Sequence, residues 1–252
     1  MKVARFSHGG HDTFGIVRGS EIIVAEGDMF GEFHATTQVY SLADVRLLAP
    51  TQPSKVVALG LNYRDHAEEL DMEVPEEPLI FLKPGSAVIG HLDTIVYPAM
   101  SRRVDYEGEL GIVIGKAASK IAETESDKFI LGYTCFNDVT ARDLQRKDGQ
   151  WTRSKSFDTF APMGPWIETE LDPCKLKVET FVNGNCKQSS DTSNLVFTPR
   201  QLVSFISHVM TLYPGDVIAT GTPPGVGPLQ VGDTVEVVIE DIGTLANSVV
   251  GE

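Results

Sequence analysis

With 252 residues, 42% of them hydrophobic and 22% charged, the chain has the makeup of an ordinary soluble globular protein with a sizeable core. A formal net charge of −14 argues against binding a nucleic-acid phosphate backbone, and it repels small anions unless a metal, Lys or Arg supplies local positive charge. No stretch approaches the roughly 18 uninterrupted apolar residues of a membrane span, and charge stands too early in Met1–His8 for a signal peptide, so neither nucleic acid nor membrane is expected as a partner.

Residues 1–49 alternate in short segments, Val3–Phe6, Thr13–Arg18 and Glu21–Val24, punctuated by Gly9-Gly10 and Gly19-Ser20. This pattern predicts a small antiparallel β subdomain. Pro50 and Pro53 keep their neighbours out of helical geometry and mark a linker, with residues 50–252 as the second domain. Lys55–Gly60 reads as a buried strand and leads into a helix-compatible stretch from Tyr63 to Leu70, where His66 and Glu69 stand at i, i+3 on one face. Leu79–Leu82 reads as another buried strand, ended by Lys83-Pro84.

Val104–Gly115 is a strand-like apolar run carrying Glu107 and Glu109. Lys128–Phe136 is a further strand, ending at Asn137-Asp138, and Val139–Gln150 reads as a helix carrying Arg142, Gln145 and Arg146. Cys135 lies in an apolar run and is expected to be a small buried hydrophobe. With Cys174 and Cys186 it makes an odd set without metal-type spacing, which fits a reducing cytoplasm. Arg153–Asp158 reads as loop or short strand, and Asn183-Gly184 as a hairpin turn. Thr198-Pro199 opens a helix with Leu202, Val203, Phe205, Ile206, Val209 and Met210 on a helical period. Val217–Thr220 is a strand feeding the turn Gly221–Pro228, and Asp233–Val250 returns to β alternation. The class is α+β, mostly β.

Extended residues at i and i+2 project to one side, so Glu107 and Glu109 share a face. Such a pair either solvates a wet strand edge or holds a divalent cation between its carboxylates, which suit Mg²⁺, Mn²⁺ or Ca²⁺. Asp138 is open to two readings, a helix N-cap for Val139–Gln150 and a polar group at a strand end. Lys155 by itself reads as a solvated side chain, and His208 as solvent-facing. His66 beside acidic residues is either a surface histidine or one half of a dyad in which Glu69 holds the imidazolium while His66 takes a proton from water. The Gly221–Pro228 turn matches no phosphate-binding motif, and its amides could hold a substrate oxygen or simply close a turn.

Taken in order, Asn62-Tyr63 with His66, Phe81-Leu82-Lys83-Pro84, Tyr106-Glu107-Gly108-Glu109-Leu110, Asp138–Asp143 with Gln145, Lys155-Ser156-Phe157-Asp158 and Pro214-Gly215-Asp216 with Thr220-Gly221-Thr222-Pro223 resemble the fumarylacetoacetate hydrolase family, from residue 55 to the C-terminus. The resemblance implies a mixed β-roll in which Glu107, Glu109 and Asp138 hold one Mg²⁺ or Mn²⁺, with Ca²⁺ as a substitute. It implies small 2-oxo or 2,4-dioxo acid substrates that chelate the metal, and His66 and Glu69 as a dyad on a mobile helical lid. Arg142, Gln145 and Lys155 match positions that touch the substrate or steady its enolate, Thr222 matches a carboxylate contact, and Lys83 is a further candidate contact. The implied reaction is hydrolysis of an acylpyruvate such as fumarylpyruvate. The alternatives are isomerisation or decarboxylation of a 2-hydroxyhepta-2,4-diene-1,7-dioate type, decarboxylation or tautomerisation of oxaloacetate, and a non-catalytic metal-binding scaffold. A homodimer is expected on the resemblance alone.

Overall fold

The computed structural model describes residues 1–69 and 71–252. The fold is mostly β, and the described residues form three sheets. The largest has twelve strands, and its main path runs from Phe33–Ser41 through Glu21–Gly27, His11–Arg18 and Lys2–His8 to Ala161–Glu168, then through Ile130–Asn137, Gly108–Ile114, Val217–Ala219 and Lys55–Gly60 to Leu79–Pro84. The N-terminal strands therefore join the same sheet as the rest, where Lys2 and Val3 pair antiparallel with Glu168 and Ile167. A five-stranded sheet carries Asn185–Asp191, Lys177–Val182, Thr234–Ile239, Gly243–Gly251 and Thr94–Tyr97, and a three-stranded one joins Thr140–Ala141, Val104–Tyr106 and Gly227–Pro228. Most pairings are antiparallel, but Val217–Ala219 runs parallel to Lys55–Gly60, and Gly243–Gly251 parallel to Thr94–Tyr97, so the roll is mixed.

Gly108–Ile114 is the central strand and is buried along its whole length, because both of its faces are covered. Leu110, Ile112 and Ile114 point towards the five-stranded sheet, with Val178, Val237 and Ile239, while Val113 joins a second cluster with Phe136 and Ala58. Helix α4, Pro199–Val209, closes the first cluster with Leu202, Val203 and Ile206. Its start is as the sequence predicts: Thr198 and Gln201 form a reciprocal capping box, and Pro199 occupies the first turn. Cys135 is fully buried, and His208 is exposed.

Several elements differ from the sequence reading. The Val104–Gly115 run is two strands, which part at Glu107 and enter different sheets. Leu79–Pro84 is an edge strand of the sheet, with Leu79 51% and Leu82 46% exposed, because among the described residues nothing pairs with its outer side. Helix α2, Arg142–Asp148, begins later than the predicted Val139, since Thr140 and Ala141 are taken up by pairing with Asp105 and Val104. Thr152–Lys155 forms a short helix, α3, where loop or strand is predicted, stabilised by Lys155 N–H and Ser154 Oγ on the Trp151 carbonyl. Phe33–Ser41 is a strand that the sequence reading lacks, at the far edge of the sheet. Helix α1 covers Arg64–Glu69; the predicted continuation to Leu70 lies outside the described residues. Among the described residues no helix is long and apolar enough to cross a membrane.

Candidate metal centre and its cavity

The chain breaks its strand pairing at Glu107, and that break assembles the site. Asn137 Oδ1 accepts from the Glu107 N–H at 3.0 Å, and the Asp138 N–H donates to the Glu107 carbonyl at 2.8 Å. These two bonds set the end of Ile130–Asn137 beside the start of the central strand, so Asp138 meets both glutamates. Glu107, Glu109 and Asp138 are all buried, and each offers a carboxylate oxygen within 4.8 Å of the others.

Three carboxylates so close require positive charge. Lys155, 2% exposed, donates to Glu107 at 2.8 Å and to Asp138 at 2.5 Å. Lys83 reaches the other Asp138 oxygen at 2.5 Å and the Val139 carbonyl at 3.0 Å. Arg142 donates through Nε to Asp105 at 2.9 Å, through Nη1 to Gln145 at 2.6 Å, and through Nη2 to Glu107. Among the described residues Glu109 takes no ammonium or guanidinium partner; its Oε2 accepts from the Gly221 N–H at 2.8 Å.

The electrostatics follow that division. Burial pushes the Glu107 carboxyl up, but Lys155 and Arg142 outweigh it and hold the group at about 2. Burial, then Asp138 and Glu107, push Glu109 well above the usual carboxylate range. Burial lowers Lys83, and the neighbouring Lys155 charge opposes the gain from Asp138. Lys155 ends above its ordinary value, because Asp138 and Glu107 together exceed the cost of its burial.

The donor set fits a hard dication. All three side chains give oxygen, they converge on one point, and the least compensated of them, Glu109, is the one a cation would relieve. Cation uptake requires the ionised carboxylate, and the raised Glu109 group makes a proton compete with the metal, so apparent Mn²⁺ affinity is expected to rise as pH rises. Calorimetric titration with Mn²⁺ across a pH series measures this, and an apparent affinity that does not change with pH would refute it.

Glu107 and Glu109 open onto a cavity of about 600 Å³. Glu107, Glu109, Arg142, Gln145, Lys155 and Thr222 line it, and His66 faces them. His66 Nδ1 lies 2.9 Å from Glu69 Oε2, and Glu69 in turn accepts from the Gly225 N–H at 3.1 Å, which ties helix α1 to the Gly221–Pro228 turn. The apolar wall is built from Leu59, Phe81 and Trp151, with the Phe81 and Trp151 rings edge to face at 5.2 Å. Gly60 admits Trp151 there, since a Cβ would stand 2.9 Å from the indole.

Three sequence expectations are corrected here. Asp138 is not a helix cap: it is fully buried against Lys83 and Lys155, and the residue before α2, Ala141, makes no side-chain cap. Lys155 is not a solvated side chain. Lys83 does not face the cavity; it is wholly buried behind Asp138, so direct contact with substrate is closed to it. Thr222 is on the wall, but its hydroxyl donates to the Gly108 carbonyl at 2.9 Å and accepts from Gln188 at 2.8 Å. Two residues escaped the sequence reading. Asp105, buried and bridging Arg103 and Arg142, was visible as a carboxylate inside an apolar run; Gln188 had no comparable signal.

Three clustered buried carboxylates at a strand break, two of them lining a cavity that His66 also lines, form a donor set that fits a divalent metal beside a substrate-sized pocket. The chain belongs to the fumarylacetoacetate hydrolase family: the model of the family's C-terminal domain matches residues 55–250, and an Rv2993c-like N-terminal model matches residues 1–50. It is similar to the crystal structure of 5-carboxymethyl-2-hydroxymuconate delta-isomerase from Mycobacterium smegmatis, at 47% identity and a TM-score of 0.95, covering 100% of both chains. A maleylpyruvate hydrolase from Sphingobium sp. SYK-6, solved in complex with manganese(II) and pyruvate, is 34% identical with a TM-score of 0.83, covering 100% of this chain and 99% of that one. The rat mitochondrial oxaloacetate tautomerase Fahd2a is 44% identical over 220 residues, 82% of this chain and 70% of the relative.

Proposed function

We propose that the protein is a Mg²⁺- or Mn²⁺-dependent hydrolase that cleaves the C–C bond of an acylpyruvate of the fumarylpyruvate type. The observation that carries this reading is the cluster of Glu107, Glu109 and Asp138, whose two glutamates line one cavity together with His66, itself paired to Glu69. A dication held by the three carboxylates would polarise the 2-oxo group and offset charge that develops on the leaving pyruvate enolate.

The chain's own groups account for the remaining work. Glu69 fixes His66 through Nδ1, which leaves Nε2 to take a proton from water. The water oxygen then bonds to the acyl carbon, and the bond from that carbon to the pyruvyl CH₂ breaks. Its electron pair leaves on the enolate, which takes up a proton to become pyruvate, while the acyl half leaves as a carboxylic acid. Lys155 stays charged among its carboxylates and presents an ammonium to the developing anion. Arg142 is braced by Asp105 and Gln145 and adds a second cation at the cavity wall. The Leu59, Phe81 and Trp151 wall limits water around the acyl group.

A second reading is that His66 only shuttles a proton, giving an isomerase or tautomerase; similarity to the M. smegmatis isomerase and the rat tautomerase supports it. A homodimer remains part of the proposal on family grounds. The deciding assay offers fumarylpyruvate, oxaloacetate and 2-hydroxyhepta-2,4-diene-1,7-dioate with Mg²⁺ or Mn²⁺ and identifies products by mass. Fumarate and pyruvate are expected from the first, with loss of turnover on chelation and recovery on adding Mn²⁺. Turnover of the others alone would replace hydrolysis by the second reading, and turnover indifferent to chelation would remove the metal from either.

A further inference from the structure

The central strand and its neighbour Val217–Ala219 part company near the carboxylates. Gly111 still pairs with Ala219, and Thr220 N–H still reaches the Leu110 carbonyl at 3.0 Å. Beyond that point, side chains take over the hydrogen bonding of Gly108, the residue between the two glutamates. One of them is Gln188, which comes from the other sheet. It is 1% exposed, flanked by exposed Lys187 and Ser189, and contributes nothing to the cavity wall.

Gln188 Oε1 accepts from the Gly108 N–H at 3.0 Å, and Nε2 donates to Thr222 Oγ1 at 2.8 Å and to the Pro223 carbonyl at 2.7 Å. Thr222 Oγ1 donates onward to the Gly108 carbonyl at 2.9 Å. Both polar groups of the Gly108 backbone are therefore held, one by Gln188 and one by Thr222, and these two side chains hold each other. The ring admits only an amide. Gly108 N–H needs an acceptor and Pro223 C=O needs a donor, which neither a carboxylate nor an apolar side chain supplies together. Gly108 itself must be glycine, since a Cβ would lie 2.1 Å from Thr180 Oγ1. The same turn presents Gly221 N–H to Glu109 and Gly225 N–H to Glu69.

We propose that Gln188 is a positioning residue for the metal centre: through Gly108 it sets the spacing of Glu107 and Glu109, and through Thr222 and Pro223 it locks the glycine turn against them. This role rests on the metal-centre reading above. Outer partners that orient metal ligands are worth about 10–100-fold in affinity, and of the ring only Thr222 lines the cavity.

The test reads Mn²⁺ dissociation constants by electron paramagnetic resonance of free Mn²⁺, with no substrate present. Gln188→Met is expected to weaken Mn²⁺ binding at least about tenfold. Gln188→Glu, which keeps the acceptor for Gly108 but loses both donors, and Thr222→Val are each expected to weaken it as well. The double variant Gln188→Met/Thr222→Val should bind little worse than the weaker single, because both break one ring. Phe6→Leu, in the core of the N-terminal strands, is the control: it should lower the melting temperature and leave Mn²⁺ affinity unchanged. An unchanged constant in Gln188→Met, full additivity with Thr222→Val, or equal weakening in Phe6→Leu would each overturn the positioning role. If Gln188→Met does not fold, Gln188→Glu and Thr222→Val carry the same comparison. Failure of the unsubstituted protein to bind Mn²⁺ would overturn the metal reading itself, before any variant is compared.

Discussion

Asp138→Ala is expected to cut turnover about a thousandfold or more on any substrate the parent protein converts, the scale of losing about 4 kcal/mol of transition-state stabilisation. The size follows from what meets at that carboxylate. One oxygen accepts from Lys83 and the other from Lys155, and the group completes the convergent oxygen set with Glu107 and Glu109. Its removal deletes a candidate ligand and strips two buried ammonium groups of a shared partner. Breaking a buried pair by removing one side costs about 3–5 kcal/mol, so a lower melting temperature is expected alongside the lost activity. Asp138→Asn separates the two effects: it keeps the shape and an acceptor oxygen, so it should fold better than the alanine variant and still bind Mn²⁺ weakly. Full turnover in Asp138→Asn, with the parent's metal affinity, would sink the ligand assignment.

His66→Ala is expected to remove most hydrolysis, by roughly 10²–10⁴-fold, the usual contribution of a positioned proton acceptor. It should leave Mn²⁺ affinity near the parent's. The separation is geometric: His66 bonds to Glu69 and faces the cavity from helix α1, whereas the carboxylates stand on the sheet. Glu69→Gln should be milder, since the amide keeps a hydrogen-bond acceptor for His66 Nδ1 but loses the charge that favours its protonated form. Stopped-flow kinetics with product analysis measures both. Hydrolysis unchanged in His66→Ala would exclude it as the base, while lost hydrolysis with intact proton exchange at the substrate's C3 would place the proton shuttle on another group.

The parts of this site that were legible from sequence are those whose geometry is local. Spacing of three in a helix brings His66 and Glu69 together, and the Thr198-Pro199 signature marks the start of α4. The carboxylates were partly legible: i, i+2 spacing put Glu107 and Glu109 on one side, but the bend between their strands depends on Asn137, thirty residues further on. Asp138 was ambiguous because a carboxylate before a helix-compatible stretch looks like a cap; pairing of Thr140 and Ala141 with Val104–Asp105 moves the helix start, and no local pattern reports such a pairing. Burial of Leu79–Pro84 was overestimated for a similar reason. Whether a strand is central or at an edge is decided by a neighbour, and its own residues do not say. Gln188 is the extreme case, since its three partners come from distant segments of the chain.

The edge position of Leu79–Pro84 also bears on how the sheet finishes assembling. Leu79, Phe81 and Lys83 alternate along the side that meets the site, with Lys83 opposite Val56. A slip of one residue would turn Lys83 out to water and press Leu82 against the Asp138 carboxylate, trading a satisfied ion pair for an unsatisfied charge. The ammonium that braces the buried carboxylates thus serves as a proofreading mark for the outermost strand, and it penalises the misaligned pairing where an all-apolar edge would tolerate it.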